Sequence, residues 1–118
     1  MVWSRRAALF GGVSFSPLSL FAASEPGLWY DFGDISTLFQ DTAGTTPVTA
    51  AGQSVARIND KSGRGNHATQ STSLSRPTYQ LDSNGRGYPS FDGSDDFLIT
   101  PTISLGTDKV QVFAGVRK

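Results

Sequence analysis

One stretch constrains the fold more than any other: Asp60-Lys61-Ser62-Gly63-Arg64-Gly65-Asn66-His67. An Asp at the head of such a run accepts hydrogen bonds from main-chain N–H groups two residues on. Glycine takes φ > 0 without a Cβ clash. The chain must therefore reverse here, so the apolar runs on either side pair with other segments instead of continuing one helix. A side-chain cap of this kind contributes about 1 kcal/mol. Phe91-Asp92-Gly93-Ser94-Asp95-Asp96 repeats the pattern, and Asn84-Gly85-Arg86-Gly87 supplies a further turn. Turns this closely spaced between short apolar runs hold antiparallel strands in register. The expected fold class is all-β.

Composition points the same way. Glu25 and three lysines stand against nine aspartates and seven arginines, so helix-favouring Glu and Lys are scarce while turn formers abound. At 118 residues the chain forms one domain with a modest core. Zero net charge and a pI near 6.5 provide no basic field to recruit nucleic acid or an anionic membrane. Without cysteine there is no disulfide framework, thiolate metal site or Cys nucleophile.

Residues 1–24 read as a lead-in and 25–118 as the domain. Arg5-Arg6, an apolar middle and Ala22-Ala23-Ser24 outline an export signal. Gly11-Gly12, Pro17 and the serines break that apolar run, which suits a linker equally and makes it too short to span a bilayer. Leu28–Phe32 reads as an opening strand, and 34–40 as a short helical turn capped by Asp34 or Ser36. A short strand is expected around Val48 and a longer one over Gln53–Asn59. Thr69–Ser75 is polar and extended. Arg76–Leu81 is an expected edge strand, because Pro77 cannot donate to a central ladder. Tyr88–Phe91 and residues 97–103 read as a hairpin about Asp92-Gly93. Lys109–Arg117 is the most regular alternating strand in the chain.

Leu28-Trp29-Tyr30-Asp31, the run from Asp60 to Gln70, Arg76-Pro77-Thr78, and Phe91-Asp92-Gly93-Ser94-Asp95-Asp96-Phe97-Leu98 occur in that order. This succession resembles the front half of a concanavalin A-like (laminin-G-like) lectin/glucanase module. Residues 14–70 are similar, more narrowly, to modules of phage and prophage structural proteins. The resemblance implies a jelly-roll β-sandwich of which 25–118 is the N-terminal part, completed by a downstream segment or a partner chain. It implies a non-catalytic structural or surface-recognition module of a virion protein, with glycan or other virion proteins as partners. Its place would be the virion, or the host cytoplasm during assembly. The alternative is a secreted or periplasmic carbohydrate-binding module, for which Arg5-Arg6 would be a working export signal.

Candidate site residues follow from chemistry and resemblance together. Glycoside hydrolysis uses two carboxyl groups about 5–5.5 or 6.5–9.5 Å apart. The hydrolases of this superfamily carry Glu-x-Asp-x-Glu on one strand, a motif absent here, so no catalytic residue is expected. Trp29 and Tyr30 are candidates for stacking on a sugar ring, although one aromatic of an opening strand normally faces the core. His67, the only imidazole, and Arg76 are further ligand candidates; His67 is expected to bond to backbone beside the Asp60 turn. Asp92, Asp95 and Asp96 are candidate Ca²⁺ ligands. They are also the residue types an acidic turn needs for its own amides. No other cofactor is implied.

Overall fold

The computed structural model describes residues 14–106 and 110–115. Strands β1 (Leu38–Phe39), β2 (Arg57–Ile58) and β3 (Ala68–Thr69) form an antiparallel sheet in that order. Its register sets Leu38 opposite Ile58 and Ile58 opposite Ala68. Side chains alternate between faces along a strand, so these three apolar groups share one face. Phe39, Arg57 and Thr69 form the row on the other. Leu38 and Ile58 are fully buried. Val48, Val55 and Tyr79 complete a small core, and Tyr30, Phe32, Ile35 and Leu98 pack against it.

Strands β4 (Thr78–Leu81) and β5 (Gly87–Ser90) make a second, two-stranded antiparallel sheet. Asp82 Oδ1 closes their turn by accepting from the amides of Asn84 (2.8 Å) and Arg86 (2.9 Å). A bridge between Ser54 and Thr78 joins the two sheets. The Tyr79 amide donates to the Gln53 carbonyl (2.8 Å), and the Gly52 amide donates to the Tyr79 carbonyl (2.7 Å). Tyr79 thus turns both main-chain groups away from β5 and faces Pro89 as a non-hydrogen-bonded pair. Pro89, which has no N–H, consequently sits where the ladder asks nothing of it. A Cβ on Gly87 would overlap the buried Tyr79 phenol, so this glycine is required by close approach.

The described residues contain strands, short 3₁₀ turns and extended loops but no α-helix, in keeping with an all-β chain. None of their helices is long and apolar enough to cross a membrane. Of the helical turn expected at 34–40, only Ile35–Thr37 forms, as a 3₁₀ helix with Asp34 accepting from the Ser36 amide at 3.2 Å, and Leu38–Phe39 is strand β1 instead. Gly63 and Gly65 take φ of +83° and +74°, the left-handed conformation anticipated for them.

Several expected strands differ. Leu28–Phe32 joins no ladder. The Trp29 amide donates to the Asp60 carboxylate, and the Trp29 carbonyl accepts from the Lys61 amide, so a turn supplies the partners a strand would have supplied. Gln53–Asn59 contributes ladder residues only at Arg57–Ile58. Around Val48 the pairing reduces to one bridge between Phe39 and Pro47. Residues 69–75 hold the end of β3 and a 3₁₀ turn over Ser73–Ser75. At its start β4 is not an edge: residues 52–54 flank one side and β5 the other. Pro77 precedes the strand, buried, and uses its carbonyl to accept from Val55. The partner of residues 87–90 is β4, not 97–103. Within 97–103, Ile99 instead exchanges two hydrogen bonds of 2.9 Å with Thr69, extending the first sheet by one residue beyond β3. Residues 110–115 are exposed and join no ladder; the rest of that expected strand, and Arg5-Arg6, lie outside the described residues.

Candidate functional site

Asp60 is the polar hub from which the site is built. Its Oδ1 accepts from the amides of Trp29 (2.8 Å) and Ser62 (2.9 Å). Its Oδ2 accepts from Ser62 Oγ (2.7 Å) and the Asn66 amide (3.0 Å). Burial raises its pKa, but the hydrogen bonds from Trp29, Ser62 and Asn66 outweigh that, and the carboxyl stays below its ordinary range. Around this hub the turn grips the extended segment 21–34. Asn66 Nδ2 donates to the Gly27 carbonyl at 2.6 Å, and Arg64 donates to the carbonyls of Phe21 and Glu25. Lys61 Nζ donates to Asp34 (2.8 Å) and Asp31 (3.1 Å). The hydrogen bond from Lys61 lowers the Asp34 pKa.

The four ligand candidates stand in or beside this network. Lys61 Nζ lies 4.7 Å from the Trp29 ring centroid, so a cation already covers one face of the indole that a sugar would need. His67 Nδ1 accepts the Asp60 amide at 2.9 Å, the backbone bond expected for it, and its ring proton must then sit on Nε2. Arg76 donates to the carbonyls of Gln70, Ser71 and Gln40 and ties two loops together. Of the four, Tyr30 alone borders the smaller open space beside the core. Its hydroxyl donates to the Asn66 carbonyl, and burial, with the Asp60 charge second, pushes its pKa up to about 12.

The open space beside Tyr30 is a cavity of about 350 Å³ between the core residues Ile58 and Ala68 and the segment Phe91–Thr100. Phe32, Phe91, Phe97 and Leu98 add further apolar wall, and Asp96 enters it from the acidic turn. The structure thereby brings together Tyr30 and Asp96, which the sequence offers for different purposes. Trp29, His67 and Arg76 do not line this cavity. Phe91 and Phe97 escape sequence reasoning as site residues. The available signal was their position on either side of the Asp92 turn.

Asp92, Asp95 and Asp96 lie close enough for one oxygen of each to fall within 4.8 Å of the others. Asp92 Oδ1 accepts from the amides of Ser94 (2.8 Å), Asp95 (3.2 Å) and Asp96 (3.3 Å), which hold its carboxyl below the usual range. Asp96 Oδ2 accepts from the Asp92 amide at 3.0 Å, and Asp95 Oδ2 from Ser75 Oγ at 3.0 Å. A calcium ion takes six to eight oxygens. Asp92, Asp95 and Asp96 offer three of these, and each carboxylate also accepts from a turn amide or a hydroxyl.

On the same side of the molecule a broader apolar concavity is bordered by Phe15, Leu20, Leu81, Tyr88, Val112 and Phe113. Comparison with protein-family models, curated proteins and solved structures yields no match.

Proposed function

We propose that the chain is a non-catalytic structural or surface-recognition module built on a concanavalin A-like, jelly-roll plan, of the kind used in phage and prophage virion proteins. The observation that carries this reading is the apolar side of the fold. Around two small antiparallel sheets, joined at Ser54 and Thr78, aromatic and aliphatic side chains line a broad open concavity. Of its lining, Tyr88 is 42% exposed, Phe91 46% and Phe113 79%. Apolar side chains left exposed beside a small core are covered when a further layer packs on them, as in a sandwich. In an assembled particle that layer is protein. Patches of this kind mark interaction surfaces rather than reaction centres.

The carboxylates support the same reading. Asp41, Asp60 and Asp92 each accept from several main-chain amides, and Asp31 and Asp34 pair with Lys61. Acids spent on fixing loops make a rigid framework for display. The ordered motifs from Leu28 to Leu98 supply the virion assignment by resemblance.

Mass spectrometry of particles purified from the cells that encode the chain tests the proposal. The chain should copurify with capsid or tail proteins through a density gradient. Absence from particles, together with an exported form retained on a polysaccharide column, would replace this reading with the secreted carbohydrate-binding one. Release of reducing sugar by the purified chain above the level of an Asp92→Asn, Asp95→Asn, Asp96→Asn triple variant would end the non-catalytic reading.

A further inference from the structure

The cavity beside the acidic turn has a lining with one chemical preference. Tyr30, Phe32, Phe91 and Phe97 present aromatic wall, and Asp96 is the one carboxylate in it. The face of an aromatic ring is the negative end of its quadrupole and attracts cations. Asp92 and Asp95 hold their carboxylates within 4.8 Å of Asp96's, concentrating negative charge at the same place. Among the described residues no Lys, Arg or His side chain comes within 4.0 Å of these three acids, whereas Asp31 and Asp34 are both paired with Lys61. Among the described residues the turn thus has negative charge with no ion-pair partner beside an aromatic wall.

Size and rigidity narrow the ligand. About 350 Å³ is at the small end of ligand cavities, which run to roughly 1,000 Å³, so one compact group fits. Two of the wall residues are held by hydrogen bonds. The Tyr30 hydroxyl is tied to the Asn66 carbonyl, the Phe97 amide donates to the Ser75 carbonyl at 3.2 Å, and Gln70 Nε2 donates to the Phe97 carbonyl at 3.3 Å. A neutral sugar ring would meet the rings and bring the acids no counter-charge. A metal ion would find no ligands in the aromatic wall.

We propose that this cavity binds a compact organic cation of the quaternary or alkylammonium class, with the aromatic side chains around it and Asp96 opposite its charge. This does not depend on the virion reading, since a cation site could serve a displayed module or an exported one.

The test uses the intact chain and two probes of the same shape: choline, and the uncharged alcohol in which carbon replaces the ammonium nitrogen. Amide shifts of Asp96 and Phe97 report binding. Choline should bind roughly fivefold to tenfold more tightly than its isostere. Asp96→Asn should remove most of that preference while leaving the isostere's affinity unchanged, and Phe97→Leu should weaken choline more than the isostere. Equal affinities in the unaltered chain would reduce the cavity to an apolar hollow, and no shift with either probe would leave it without a ligand of this class. Displacement of choline by an equimolar amount of calcium would make it a metal site instead. If Asp96→Asn does not fold, the comparison of the two probes on the unaltered chain decides alone.

Discussion

Replacing Asp60 with alanine removes four hydrogen bonds at once, and the magnitude follows from which donors are stranded. The Ser62 amide lies in a residue only 4% exposed, so water cannot replace its acceptor, and a buried amide left unpaired costs about 1–3 kcal/mol. The amides of Trp29 and Asn66 belong to half-buried residues that water reaches, and each loses about 0.5–1 kcal/mol. The Ser62 hydroxyl can turn to solvent. Asp60→Ala should therefore destabilise the fold by about 3 kcal/mol, more than the roughly 1 kcal/mol of a lone side-chain cap. Asp60→Asn is the sharper probe. Its oxygen can keep the Trp29 and Ser62 amides, but its NH₂ group then points at the Asn66 amide, donor against donor. About half of the alanine loss should result. Urea unfolding followed by far-UV dichroism and tryptophan fluorescence measures both. The same linkage predicts an acid transition. A carboxyl with a depressed folded pKa stabilises the fold above its unfolded value of about 3.9, and that contribution is lost as pH falls through the folded value. If Asp60→Ala unfolds within about 0.5 kcal/mol of the parent, the hub reasoning fails and segment 21–34 is held by something else.

Two further outcomes test the packing. Gly87→Ala should cost about 1–3 kcal/mol because its methyl must displace the buried Tyr79 phenol, whereas Gly85→Ala should act only through its φ of +75°; denaturation midpoints of the two variants separate these causes. Tyr30 should titrate near pH 12 in ultraviolet difference spectra, as a component that Tyr30→Phe removes. Because its folded pKa is raised, its contribution is complete below the unfolded value of about 10 and declines as pH rises toward 12, so stability should fall over that window and less steeply in Tyr30→Phe.

What the sequence determined by itself is the local chemistry. The Asx arrangement of Asp60, the left-handed glycines 63 and 65, the Asp34 cap and the Asn84 turn each involve atoms a few residues apart. Residue type there dictates geometry before any tertiary contact exists. The all-β class follows from the same density of turns. The tertiary structure alone decided what those turns would hold. Asp60 reaches the Trp29 amide across 31 positions, and no local rule distinguishes that partner from any other exposed amide. Residues 87–90 have a turn on each side, so the local signal allowed pairing with either flank. Pairing with β4 lets the buried Tyr79 pack against Gly87, which only a glycine permits, while Ile99 completes the edge beyond β3. Tyr30 and Asp96 came to share one cavity for the same reason: burial of the Leu38–Ile58–Ala68 row draws both segments against one core, and burial is a property of the whole chain rather than of either motif.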